Sequence, residues 1–137
     1  MTRATSALTG TVELTTALRA LEDLTDGDPT EALRETVDTI GRIAQRAAGE
    51  VGFDSRRRRD LVRRGAYVLA AIIRRGVESG AFRPHCALWA IQSLPYAIVA
   101  GVCARWVFGL PEERSLRAGA AADAALEALC PPVLARR

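Results

Sequence analysis

Residues 87–110 read ALWAIQSLPYAIVAGVCARWVFGL, and this stretch decides the fold of the chain. It is apolar at almost every angular position around a helix, and a helix that is apolar on all sides is buried on all sides. About 24 residues at 1.5 Å each give a helix long enough to cross a small domain. Pro95 lies near the middle, where it leaves the carbonyl of Ile91 without its helical donor. We therefore expect one central helix with a kink at Pro95.

The hydropathy of residues 86–104 raises a membrane span as an alternative, since such a span needs roughly 20 apolar residues. Gln92, Ser93 and Pro95 lie near the middle of that segment. The other predicted helices place their apolar residues on one face, as the helices of a water-soluble bundle do. A buried core helix is therefore favoured over a transmembrane helix.

The composition indicates a single all-α domain. Hydrophobic residues make up 49% of the 137 residues but aromatic residues only 5%, so the core must consist mainly of Ala, Leu, Val and Ile. Such residues suit closely packed helices, and no alternating run of β-branched residues indicates a strand. The net charge of +3, with arginine as the only basic residue type besides one histidine, is too small to demand a nucleic-acid partner.

The cysteines and the first residues bear on the cellular compartment. Cys86, Cys103 and Cys130 are odd in number and lie among apolar residues, as buried reduced thiols do. Residues 1–11 contain no apolar run long enough for a signal sequence, and they predict a flexible arm. We therefore expect a cytoplasmic protein with one domain over residues 12–130 and a short tail over residues 131–137.

Periodic apolar residues and capping signals predict a bundle of five helices. Asp28 followed by Pro29 is the strongest start signal in the chain. Gly80 is placed to end the third helix, with Phe82 just beyond it for the accompanying hydrophobic contact. The predicted helices cover residues 12–24, 29–48, 55–80, 87–110 and 112–130.

The arginine run from Arg56 to Arg59 opens the third helix, which Asp54 or Ser55 can cap. Four cations at the positive end of the helix dipole cost stability, so a compensating group is expected. The run indicates either a patch for phosphate or an acidic partner, or a solvated turn in an arginine-biased protein. The lack of interleaved aromatic residues favours the solvated turn.

No recognisable motif indicates catalysis or metal binding. His85 and Cys86 are adjacent, but no further ligand follows at a metal-binding spacing. The chain has one histidine and no Gly-x-Ser-x-Gly, paired-carboxylate or glycine-rich phosphate motif. We therefore expect neither an enzyme nor a bound metal or cofactor.

One face of the central helix could line a small-molecule site. The residues of this face recur every three or four positions along the chain. They are Trp89, Gln92, Tyr96, Val99, Cys103 and Trp106. An apolar wall with a few hydrogen-bonding groups is typical of a ligand cavity, although the same pattern fits an ordinary core or a subunit interface. Gly65 and Gly76 in the third helix would leave space opposite. The predicted ligand-binding residues are Gly65, Trp89, Gln92, Tyr96 and Cys103.

The segment AAIIRRGVESGAFRPHCALWAIQSLPYAIVAGVCARW, residues 70–106, resembles the C-terminal regulatory domain of TetR-family transcriptional repressors. A helix that ends in RGVESGAFRP is followed by a long apolar helix with a late tryptophan. Residues 28–34, DPTEALR, are similar to the start of the first long helix after that family's linker helix. The resemblance covers residues 12–129.

The resemblance implies an effector cavity among the central helices and a homodimer formed by the last two helices, here residues 87–108 and 112–130. We expect a four-helix interface that buries on the order of 2,000 Å² or more. The predicted interface residues are Val99, Val102, Trp106, Leu116, Gly119, Ala122 and Leu126. The family's N-terminal helix-turn-helix has no counterpart in this sequence, so we expect no sequence-specific DNA binding by this chain alone.

Two functions stand as hypotheses. In the first, the chain is the effector-binding and dimerisation module of a TetR-like regulator, and an apolar or aromatic small molecule binds between helices 29–48, 56–79 and 87–108. In the second, it is an interaction protein that pairs with itself or with a related full-length regulator and binds no ligand. A cavity beside Tyr96 would favour the first hypothesis, whereas a tightly packed interior would favour the second.

Overall fold

The computed structural model of this protein describes residues 16, 19–20 and 27–131. The helices within them are α1 (Pro29–Ala48), α2 (Ser55–Ser79), α3 (Ala87–Gln92), α4 (Leu94–Val107), a 3-10 turn (Glu112–Arg114) and α5 (Ala118–Leu129). No strand occurs in this part of the chain, so the predicted all-α fold is confirmed. The predicted arm, first helix and tail lie outside the described residues, except for Pro131 and for residues 16, 19 and 20, which are helical.

Local hydrogen bonds determine where α1 and α2 begin and where α2 ends. The Asp28 carboxylate accepts a hydrogen bond from the Glu31 N–H at 3.4 Å, and a proline follows the cap. Asp54 caps α2 in the same way, accepting from the Arg57 N–H at 3.0 Å. Gly80 has a φ of 82°, a left-handed conformation that costs glycine little. These three predicted caps are confirmed.

The aliphatic core lies between α1, α2 and α4, each of which contacts the other two. Helix α5 packs mainly on α1 and also contacts α4. Thr36 is a buried polar residue, and its hydroxyl has no hydrogen-bond partner among the described residues. The largest fully buried side chains are Leu33, Ile40, Leu61, Leu69, Ile72, Ile73, Phe82 and Leu129. Apart from Phe82 they are aliphatic, as the composition predicts.

The predicted central helix is interrupted near Pro95, because residues 87–108 form two helices that meet at Ser93. Pro95 cannot donate to the Ile91 carbonyl, and its ring would crowd the preceding turn of a continuous helix. In the observed fold Pro95 instead lies in the first turn of α4, where a missing N–H costs little. The predicted kink is therefore observed as an interruption of the helix at Ser93, whose backbone stays right-handed helical. Among the described residues, no helix is long and apolar enough to cross a membrane.

The last predicted helix, over residues 112–130, is also shorter in the structure. Residues 112–114 form only a 3-10 turn, Ser115 is extended, and α5 begins at Ala118. The Leu116 N–H donates to the Gly101 carbonyl of α4 at 3.0 Å rather than to a carbonyl of its own helix. This contact with α4 overrides the helical pattern that the sequence shows for residues 112–117.

Candidate functional site

The predicted ligand-binding residues differ in their exposure to solvent. Trp89, Gln92 and Tyr96 are exposed, whereas Cys103 is fully buried. The prediction that these four side chains share one face is wrong, because Cys103 is buried in the core whereas the other three are exposed to solvent. Whether any of them contacts a ligand stays a prediction.

The space expected beside Gly65 is filled by neighbouring side chains. A Cβ atom added to Gly65 would lie 3.1 Å from Ile40 Cδ1 and 3.4 Å from Val99 Cγ2. Gly65 therefore lets α2 approach α1 and α4 closely, and it leaves no room for a ligand at this position. Gly76 serves a similar purpose, because the ring of Phe82 packs against it.

The predicted dimer-interface residues divide into two groups. Val99, Val102 and Ala122 are buried inside the subunit, so a second chain cannot contact them without rearrangement. The prediction is wrong for these three, because α4 and α5 pack the apolar side chains into their own core. The residues that keep exposed or half-buried surface are Trp106, Leu116, Gly119 and Leu126.

An exposed apolar surface lies instead on α3 and the first turn of α4. We call it the 88–96 surface and define it by Leu88, Trp89 and Tyr96, which are 65%, 44% and 52% exposed. Sequence reasoning missed Leu88, since an all-round apolar segment does not reveal which of its sides faces solvent. An accumulation of large apolar side chains on the surface is typical of an interaction site.

A second candidate site is a groove of about 450 Å³ between α1, α4 and the connection that leads into α5. We call it the arginine groove. The residues that line it include Gly41, Arg42, Val102, Trp106, Leu116 and Arg117. The sequence does not reveal this site, because its residues come from separate elements and no spacing along the chain links them.

Backbone hydrogen bonds hold the wall of the arginine groove in place. The connection after α4 is tied back to that helix by the Leu110 N–H, which donates to the Ala104 carbonyl at 3.1 Å, and by the bond from Leu116 to Gly101. On the opposite side, a Cβ added to Gly41 would lie 3.1 Å from Val102 Cγ1. Close helix packing therefore forms the floor of the groove.

Charged side chains from three elements surround the arginine groove. Arg42 pairs with Asp38 one turn away on α1, and Arg105 Nη1 lies 3.6 Å from Glu112 Oε1. The guanidinium of Arg105 also lies over the Trp106 ring, with 4.6 Å between its Cζ and the ring centroid. Among the described residues, Arg117 has no carboxylate partner.

Asp54, which caps α2, supplies a negative charge beside the arginine run and so compensates for the four cations at this end of the helix. The hydrogen bond from the Arg57 N–H lowers the pKa of Asp54 below its ordinary value of 3.8. The hydrogen bond therefore stabilises the folded chain fully above pH 3.8, and this stabilisation is lost as the pH falls through the lowered pKa of Asp54. Arg58 lies 5.6 Å from the Phe53 ring centroid, and Arg59 Nε donates to the Ser55 carbonyl at 3.4 Å. A role for the run in binding phosphate or an acidic partner stays untested.

The prediction of buried thiols is wrong for Cys86 and Cys130, which are exposed, and right only for Cys103; this difference predicts a labelling pattern. Burial raises the pKa of the Cys103 thiol to about 12, whereas Cys86 and Cys130 are exposed. Because the thiolate is the reactive form, we expect iodoacetamide at pH 8 to alkylate two thiols in the folded protein and three after denaturation, as counted by mass spectrometry. Alkylation of Cys103 in the folded protein as fast as Cys86 would contradict this prediction.

The structure and the comparisons add little to the likeness with TetR regulatory domains. An all-α fold is shared by many unrelated families, so it does not by itself identify one. No group of three or more His, Cys, Asp or Glu side chains in the described part of the chain could hold a metal ion. Comparison with family models, with curated proteins and with solved structures finds no match to this chain.

Proposed function

We propose that this chain is the dimerisation and regulatory module of a TetR-like transcriptional regulator, and that it pairs with a second copy through the 88–96 surface and α5. The observation that carries the dimer is the exposure of Leu88, Trp89 and Tyr96 beside a closely packed interior, and that packing favours pairing with another chain over the effector cavity expected beside Tyr96. The TetR-like assignment is supported by the resemblance of residues 70–106.

The chemistry of the 88–96 surface favours a protein partner. Tryptophan and tyrosine are enriched among the residues that dominate binding energy, because each covers a large area at a small cost in side-chain entropy. Exposed apolar area of this kind is unfavourable in water, and association with a complementary surface removes it from the solvent. Gln92 lies between the two aromatic residues in sequence and adds a hydrogen-bonding group.

The outward face of α5 supports a second copy as that partner. Gly119, Ala120 and Ala124 are exposed on it, and such small residues let the backbone of another helix approach closely. Buried Ala121, Ala122, Ala125 and Leu129 pack the opposite face of α5 into the core, and an exposed ion pair also links Arg34 Nη1 of α1 to Asp123 Oδ1, 2.7 Å away. Identical surfaces on two copies can meet about a two-fold axis, which is the commonest symmetry of soluble oligomers.

Native mass spectrometry combined with light scattering tests the proposal. At micromolar concentration we expect a species of twice the 14.7 kDa chain mass. An apolar interface of the proposed kind binds tightly enough to persist at that concentration. A monomer in both measurements would overturn the proposal.

Binding of a small-molecule effector is a second candidate function. The observation that favours it is the arginine groove, whose volume of about 450 Å³ lies within the range of small-molecule sites. The filled space at Gly65 argues against the site that the sequence suggested. Native mass spectra would also reveal any retained molecule as additional mass on the chain.

A further inference from the structure

We propose that the arginine groove binds a small organic anion, with its carboxylate at Arg117 and an aromatic or aliphatic body against Val102, Trp106 and Leu116. This inference deepens the second candidate function and rests on it, but it does not require the dimer. Its test is therefore read separately from the test of dimerisation.

The charge arrangement indicates an anion. Arginines reach the groove from α1, from α4 and from the residue before α5. The groove's two carboxylates, on Asp38 and Glu112, each have an arginine partner in Arg42 and Arg105. Arg117 supplies the remaining positive charge, and its planar guanidinium can hold a carboxylate through two parallel hydrogen bonds.

The apolar part of the groove indicates an amphipathic ligand rather than a bare inorganic ion. Val102 is buried at the floor, Leu116 is 48% exposed at the wall, and the half-buried Trp106 offers an aromatic surface. A volume of about 450 Å³ is far larger than a phosphate or sulfate needs. Gln45 and Ser115 also line the groove and can donate hydrogen bonds to polar substituents.

The groove is already formed in the free chain, which reduces the ordering that binding would require. The hydrogen bonds from Leu110 and Leu116 to α4 hold the wall, and the Leu116 side chain packs on Gly101, where an added Cβ would lie 2.9 Å from Leu116 Cδ1. A preformed site spends less of its interaction energy on immobilising loops. Ligand and protein can therefore meet without a large rearrangement.

Two-dimensional ¹H–¹⁵N spectra of the full chain, titrated with 1-naphthoate as the probe, test this inference. The chain contains two tryptophans, and Trp106 lines the groove whereas Trp89 lies on α3. We expect a saturable shift of the Trp106 indole resonance and none of the Trp89 resonance, with the assignment made from Trp89→Phe. Neutral 1-naphthylmethanol should bind at least about tenfold more weakly, since it lacks the charge.

Two arginine substitutions complete the test. Arg117→Gln should weaken 1-naphthoate binding at least about tenfold, because it removes the charged donor. Arg74→Gln, an exposed position on α2 outside the groove, should leave the affinity unchanged. A missing Trp106 shift at millimolar probe, equal affinity for the alcohol, or equal effects of the two substitutions would overturn the inference. None of these outcomes changes the measured oligomer mass.

Discussion

Replacing Gly76 by alanine is expected to lower the free energy of unfolding by about 3 kcal/mol, the upper end of the usual effect of overpacking. The added Cβ would lie 2.1 Å from Cδ2 and 2.4 Å from Cε2 of Phe82. Phe82 is only 1% exposed, and its backbone N–H donates to the Gly76 carbonyl at 2.9 Å. The ring therefore has little freedom to move aside. Urea unfolding at a fixed protein concentration measures the change.

Gly49→Ala is the control for this substitution, because Gly49 lies at the end of α1, outside the proposed dimer surface. Its backbone is right-handed helical, and a Cβ added there would lie at an ordinary contact distance of 3.7 Å from the Arg46 carbonyl oxygen, so the unfolding free energy should change by less than about 1 kcal/mol. Phe82→Ala should cost about 3–5 kcal/mol, and adding Gly76→Ala to it should cost little more, since the clash is gone. Full additivity of the two changes would show that the ring does not pack on Gly76.

Replacing Tyr96 by glutamate is expected to convert the proposed dimer into a monomer, with the dissociation constant raised at least about a hundredfold. Truncating a central aromatic residue of an interface costs about 2 kcal/mol or more, and an unpaired carboxylate buried there adds to that cost. Tyr96 is 52% exposed in the subunit, so the change should leave the fold intact. Light scattering over a concentration series gives the dissociation constant.

Tyr67→Glu is the control for the dimer surface. Tyr67 is 71% exposed but lies on α2, outside the 88–96 surface, and its replacement should leave the mass of the dimer unchanged. Dissociation by Tyr67→Glu but not by Tyr96→Glu would place the contact on α2 and contradict the proposed surface. Ala122→Arg does not serve as a test, because Ala122 is 2% exposed and the arginine would unfold the subunit.

Features that depend on neighbours in sequence were predictable. The caps at Asp28 and Asp54 and the left-handed glycine at Gly80 need only a side chain or a conformation within a few residues. The dominance of aliphatic residues in the core follows from composition. The sequence predicted where Pro95 disturbs the helix but not how many helical residues are affected, since that depends on the packing around the proline.

The candidate surfaces could not be predicted, because they depend on which side of each helix its neighbours cover. Residues 87–108 are apolar on all sides, so their sequence does not distinguish the buried Cys103 and Val99 from the exposed Trp89 and Tyr96. The arginine groove depends further on a connection that folds back onto α4 through the bonds of Leu110 and Leu116. Such contacts form outside the hydrogen-bond pattern of any helix, and no local sequence pattern predicts them.

The sequence by itself determined the all-α class, the boundaries of α1 and α2 and the aliphatic core, because capping, helical periodicity and hydrophobic burial act through composition and short spacing. The tertiary structure alone decided that α3 and α4 separate at Ser93, that Gly65 and Gly76 are filled by neighbouring side chains, and where the open surfaces lie. The physical reason is that burial is a property of the whole packed bundle, and each helix gains it only from the side chains that other helices bring.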